Sequence, residues 1–270
     1  NVAIAKIISK HYGRNPAAFI AQLREMGVLS PASAQLRGEP DPYVLSPGQP
    51  LWSGTALPLL SMGYNVELTP LQQLAFYNAV ANGGRMLQPV LVREVREAGK
   101  VVRRYAPRVL RERIASEATL AQVRKMLEGV VERGTARNIQ GAACRLAGKT
   151  GTAQKLVNKR YQKIYRASFA GYFPAQAPRY SCIVIIDEPA GDEVYGAQAA
   201  APIFKEIADN IYSTDIRPRR LGGTPGVLAE AEAEAAPAPA PGDGPRVASH
   251  AGLRFPTARV LHQEDAEAFY

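Results

Sequence analysis

At 270 residues the chain can form one large domain or two modest ones, and its 46% hydrophobic content allows a sizeable core. Its two cysteines, Cys144 and Cys182, are too few for a disulfide framework or a zinc site and are expected as small buried side chains, while His11, His250 and His262 show no ligand spacing. The formal charge of +9 is concentrated between Asn138 and Ile186, where eight Lys and Arg meet no Asp or Glu; such a field favours anions without choosing among them.

The chain starts at Asn1 without an initiator Met and enters an apolar helical pattern at once, so it is expected to be a fragment or a processed product. No run approaches the roughly 18 apolar residues of a membrane span, and no signal peptide is visible. Val2 to Tyr12 predicts a helix with Ile4, Ile7, Ile8 and Tyr12 on one stripe and Asn1 where an N-cap belongs. "NPAAFIAQLREMG" predicts a second, capped by Asn15, opened by Pro16, facing Phe19, Ile20 and Leu23 inward and stopped by Gly27. Residues 28–65 hold many Pro, Gly and Ser with no sustained period and are expected as a long irregular surface segment, with Trp52 as a core anchor.

"LTPLQQLAFYNAVANGG" predicts a third helix, capped by Thr69 and closed near Gly83. Alternating Val and charged residues on either side of Gly99 predict a β-hairpin, and the basic run from Arg93 to Arg113 a solvated face. "SEATLAQVRKMLEGVVERG" predicts a helix capped by Ser116, with Leu120, Val123, Leu127 and Val130 as core stripe and Gly134 as stop. Then the period changes. "CRLAGKTGTAQK", "ASFAGYFPA" and "YSCIVIIDEP" predict three strands of an antiparallel meander, the third expected to be central because Ile183 to Ile186 is continuously apolar. "GAQAAAPIFKEIADNIY" closes the pattern as a helix with Ile203, Ile207 and Ile211 inward. Residues 219–245 have the Ala/Pro/Glu composition of a disordered linker, and 246–270 form a tail too short to judge.

The stretch "RLAGKTGTAQK", Arg145 to Lys155, invites two incompatible readings. A phosphate-binding loop needs G-x-x-x-x-G-K-[ST], but the position of the first Gly holds Ala143, and "TGTAQKLV" is a poor helix start. The alternative is the Lys-Thr-Gly edge strand of a serine acyl-enzyme. There Lys149 would sit beside a catalytic serine, and Thr150 and Thr152 would turn their hydroxyls to one face, available to a substrate carboxylate. Gly151 would leave room for an extended peptide lying along the strand, and the Thr152 N–H would serve as one oxyanion-hole donor.

The companions of that strand carry a resemblance. "NVAIAKI" looks like the continuation of an S-x-N element. "MGYNVELTPLQQLAFYNAVANGGRMLQP" resembles the segment that precedes the Lys-Thr-Gly strand in class B penicillin-binding proteins. "VERGTARN", "GKTGTAQK", "FAGYFPA" and "GAQAAAPIF" then follow in that family's order and at its spacings. The match covers roughly residues 1–215 and looks most like the division-type peptidoglycan D,D-transpeptidases.

The resemblance implies an α+β fold of the penicillin-binding-protein and β-lactamase type: an antiparallel sheet flanked by helices, incomplete at the N-terminus, with residues 1–218 as the C-terminal part of the transpeptidase domain. Lys149 and Asn1 become the expected catalytic residues, Asn1 being the last residue of S-x-N, although a plain helix N-cap remains open for it. Thr150, Gly151 and Thr152 become the expected substrate-binding residues. The nucleophile is expected outside this chain: no serine here has Lys three residues on. No metal, cofactor or nucleic acid is implied. The implied partners are peptidoglycan stem peptides, β-lactams and divisome proteins. The implied location is the inner membrane, with an anchor upstream and the catalytic domain in the periplasm. A non-catalytic penicillin-fold module for binding or sensing is the alternative. A class A β-lactamase is weaker, because residues 28–65 contain Glu39 as their one Glu and no E-x-x-x-N pattern.

Overall fold

The computed structural model describes residues 1–32, 35, 38–157, 160–191 and 193–216; the expected linker over 219–245 and tail over 246–270 lie outside the described residues. Helices α1 (Val2–Tyr12) and α2 (Pro16–Glu25) form where the periodicity places them. Asn15 caps α2 by accepting the Ala18 N–H, and Ile20 is carried into the core. The stripe on α1 behaves differently. It buries no residue, and Val2, Ile4 and Ile7 are 51–69% exposed; only Ile8 and Tyr12 are half-buried, the Tyr12 ring lying 5.4 Å from Phe19.

The segment 28–65 is not a surface loop. It contains β1 (Tyr43–Val44) and α3 (Ala56–Leu60), and β1 pairs antiparallel with β2 (Val66–Glu67). Val44 and Leu60 join Ile20 in a core cluster against which Trp52, Phe19, Leu29 and Val66 pack. Elements of two and five residues are too short to display a period, which is why the pattern is silent there.

Helix α4 (Pro70–Ala81) opens on a capping box: Thr69 Oγ1 accepts the Gln72 N–H, and Gln72 Oε1 accepts the Thr69 N–H. Gln72 is 2% exposed, and its amide also donates to Glu39 Oε1 and Pro40 O, both at 3.0 Å, so a buried polar group is satisfied. Strands β3 (Met86–Leu87) and β6 (Val109–Arg111) pair around the exposed hairpin of β4 (Glu94–Glu97) and β5 (Lys100–Arg104). On that hairpin hydrogen bonds from Arg96 and Arg104 hold the Glu94 carboxyl below its ordinary range. Helix α5 (Glu117–Glu132) is capped by Ser116 and buries Leu120, Leu127 and Val131, with Val123 and Val130 at the margins.

The main sheet is an antiparallel meander of β7 (Ala147–Val157), β8 (Arg160–Phe173) and β9 (Tyr180–Asp187), in that order. The middle strand is therefore β8, not the apolar β9. Strand β8 buries Phe169 and Phe173 on one face and Ala170 and Tyr172 on the other, but its Ser, Gly and Arg residues interrupt the run that a buried strand usually advertises. On the Phe169 side lies α7 (Ala201–Ile211), whose Phe204 ring sits edge-on to Phe169 at 4.7 Å and to Phe173 at 5.7 Å. On the Tyr172 side lie α4 and α5.

The expected last helix is two helices, α6 (Gly196–Ala199) and α7, separated at Ala200. The restart moves the buried stripe to Ala201, Phe204 and Ala208, leaving Ile203 40% exposed and Ile207 and Ile211 at the edge of the core. The cysteines are half-buried rather than buried, and both are free thiols. Burial and the nearby Asp209 carboxylate push the Cys144 thiol up to about 11.

Candidate active site

The stretch 149–152 is extended backbone inside β7, so the phosphate-loop reading, which requires a helix to begin at the Lys, fails on conformation. Among the described residues β7 is paired on one side only. Alternate residues along it therefore turn their N–H and C=O to an open edge, the geometry that accepts an added strand.

Side chains alternate along the same strand. Thr150, opposite Phe169, belongs to the α7 face, and Lys149, opposite Ala170, leaves from the α4 face. The length of the lysine overcomes this separation. Its Nζ donates to Thr150 O at 2.8 Å and approaches Thr150 Oγ1 at 3.4 Å, so the ammonium and the first threonine hydroxyl lie together. Lys149 is solvent-accessible as a residue, yet burial of its ammonium lowers its pKa below the ordinary lysine value. Among the described residues it makes no ion pair. Other cations of the basic window are neutralised by carboxylates outside it: Arg145 by Glu128 and Glu132, Lys155 by Asp187 and Glu188, and Arg166 by Asp187. The charge excess read from the sequence thus contracts, and Lys149 is a cation left available to an anion.

The two hydroxyls are met differently. Thr152 Oγ1 accepts the Gly196 N–H at 3.0 Å; a backbone amide can only donate, so the Thr152 hydrogen stays free to point elsewhere. Thr150 Oγ1 faces the Lys149 ammonium, also a pure donor, and the Thr135 hydroxyl at 2.9 Å. Gly151 lies opposite Ser168, whose hydroxyl occupies the place a Cβ would take, so the missing side chain serves the packing of β7 on β8 as well as leaving the strand bare.

Two supports were not singled out in the sequence. A Cβ at Gly196 would run into Gly151 O and Ser168 O, so α6 can rest on β7 and β8, and give its first N–H to Thr152, only with glycine there. Thr135 follows α5, and the adjoining Asn138 side chain donates to Ala197 O at 2.6 Å, tying that turn to α6. The sole sequence signal for either is its place in "GTARN" and "GAQ". Asn1 is not brought to this group by any side-chain contact. Its side chain makes no capping bond, and its helix packs on α2 and α3. No group of three or more metal-ligating side chains occurs among the described residues.

Residues 45–209 match the model of the penicillin-binding protein transpeptidase domain. Stage V sporulation protein D of Bacillus subtilis is 35% identical over 164 residues, 59% of this chain and 25% of that protein. A Neisseria flavescens protein named probable peptidoglycan D,D-transpeptidase PenA is 33% identical over 159 residues, 58% of this chain and 37% of that protein. Among solved structures, penicillin-binding protein 3 of Mycobacterium tuberculosis in complex with aztreonam matches with a TM-score of 0.64 and 30% identity, over 77% of this chain and 47% of that one. The chain thus spans a quarter to somewhat over a third of these two relatives and about half of that structure. An edge strand bearing Lys149, Thr150, Gly151 and Thr152, within a match covering more than half of the sequence, places the chain in the penicillin-binding protein transpeptidase domain family.

Proposed function

We propose that this chain supplies the Lys-Thr-Gly side of a serine peptidoglycan D,D-transpeptidase, in a whole protein whose nucleophile lies N-terminal to Asn1. The observation that carries this reading is the cradle on β7: an ammonium held at Thr150 that makes no ion pair among the described residues, and two hydroxyls, one of them with its hydrogen left free by a backbone donor. Such a cradle fits the terminal carboxylate of a D-Ala-D-Ala peptide, with the open strand edge holding the peptide backbone. The serine Oγ attacks the carbonyl between the two alanines and its proton passes by way of a basic lysine to the departing amine. The terminal D-Ala leaves, and the resulting ester is taken by the amine of a neighbouring stem peptide, which restores the serine hydroxyl. Lys149 supplies the field at the cradle and supports proton traffic, and the Thr152 N–H is one oxyanion donor. Asn1, as the last residue of an S-x-N element, contacts the peptide in the same proposal. β-Lactams, which share the carboxylate and present a strained ring amide in place of the peptide bond, acylate the same serine.

Division-complex partners and a periplasmic placement behind an upstream membrane anchor belong to the same proposal; among the described residues no helix is long and apolar enough to cross a membrane. The test is labelled penicillin on the whole protein, with the adduct mapped by mass spectrometry. The expected adduct is an ester on a serine followed three residues later by lysine. No covalent adduct at saturating penicillin would favour a non-catalytic binding or sensor module instead.

A further inference from the structure

Thr135 lies outside the strand, yet its Oγ1 is 2.9 Å from Thr150 Oγ1, and either hydroxyl can donate in that contact. The choice has a chemical consequence. A threonine hydroxyl has two lone pairs and one hydrogen. If Thr150 donates to Thr135, it has no hydrogen left for an anion. If Thr135 donates, the Thr150 lone pairs are taken by Thr135 and by the Lys149 ammonium at 3.4 Å, and the Thr150 hydrogen is aimed outward. Thr152 already receives the matching arrangement from the Gly196 N–H.

Thr135 is built to hold that position. The next residue, Ala136, is fully buried and gives its N–H to Val130 O at 3.0 Å; Ile139 is 1% exposed in the same core; and Asn138 is bonded to Ala197 O. The turn after α5 is thus anchored on both sides of the hydroxyl, and through α6 it reaches the group that supports Thr152.

We propose that Thr135 is a positioning residue for substrate selection: it donates to Thr150 and so fixes Thr150 as a donor to the terminal carboxylate of the peptide or β-lactam. This rests on the transpeptidase reading above. The test measures second-order acylation of the whole protein by a penicillin and by its methyl ester, which lacks the carboxylate charge. Thr135→Val is expected to slow the free acid about tenfold, the scale of one hydrogen bond to a charged group, and to leave the ester within about twofold. Thr135→Ser should restore the acid rate, and in a Thr150→Val background Thr135→Val should add nothing. Equal losses for acid and ester would make Thr135 a scaffold residue and overturn the proposal, as would an unchanged acid rate. A full additional loss in the Thr150→Val background would mean direct contact with the ligand and overturn it as well. A wild-type protein that penicillin does not acylate would bring down the transpeptidase reading together with this one, which separates the two failures.

Discussion

Burial disfavours the charged form of Lys149, whereas the ion pairs farther along the main sheet favour the charged forms of their members. Burial alone would raise the Asp187 pKa, but hydrogen bonds from Arg166 and Lys155 outweigh it and hold the carboxyl below its ordinary value of 3.8. A depressed folded-state pKa means that Asp187 contributes stability fully above 3.8 and loses it as pH falls through the lowered value. Lys155 has the mirrored behaviour. Burial would lower it, but hydrogen bonds to Asp187 and Glu188 raise it above 10.5, so its contribution is complete below 10.5 and is lost as pH rises through the raised value. These groups are partly exposed, so Asp187→Asn is expected to cost no more than about 1 kcal/mol at neutral pH. Urea denaturation of the whole protein and the variant should show that gap closing in acid; a gap independent of pH would contradict the assignment. At this scale the facing of Thr150 and Thr152 was legible from strand alternation. The contact with Thr135 was not, because it joins residues 15 apart in sequence across two elements.

Elements with caps and a sustained period were legible before their packing was known. Asn15, Thr69 and Ser116 each accept the predicted capping N–H, and the hairpin turns at Gly99. Where an element is short or its packing uses small residues, pattern fails. The pieces of 28–65 are too brief to show a period, and β8 hides its central place behind Ala, Ser and Gly, which let its neighbours approach. The same dependence on small residues governs α6. Gly196→Ala places a methyl against Gly151 O and Ser168 O, both backbone atoms, and must push α6 off the sheet. The expected cost is about 1–3 kcal/mol of stability. Acylation by penicillin should also slow, because the Thr152 hydroxyl loses its amide donor. Unchanged melting temperature and acylation rate in this variant would show that α6 does not rest on β7 as described.

Across the whole molecule, two cores sandwich the meander and leave particular surfaces bare. Val2, Ile4 and Ile7 on α1 are 51–69% exposed, and among the described residues β9, like β7, is paired on one side only. An open strand edge and an apolar helix face both favour association. The 270-residue chain expressed alone is therefore expected to bind a hydrophobic dye, to aggregate and to take up no penicillin. A cooperative melt accompanied by covalent penicillin labelling of the isolated chain would contradict this expectation. Fold class and the reactive strand were legible at this scale because several motifs recur in one order. How far the chain buries its own apolar surface was not, since burial depends on what each face meets.

The central claim is that the ammonium of Lys149 acts in acyl transfer, and one measurement addresses it directly: the rate of covalent labelling by penicillin of the whole protein with Lys149→Ala. Because burial disfavours the charged form of this side chain and no ion pair among the described residues holds it, the variant should melt no lower than wild type at neutral pH. Its labelling should be slower by roughly 10²- to 10³-fold or more, the scale of losing one preorganised electrostatic group. A folded Lys149→Ala protein that labels at the wild-type rate would contradict the account.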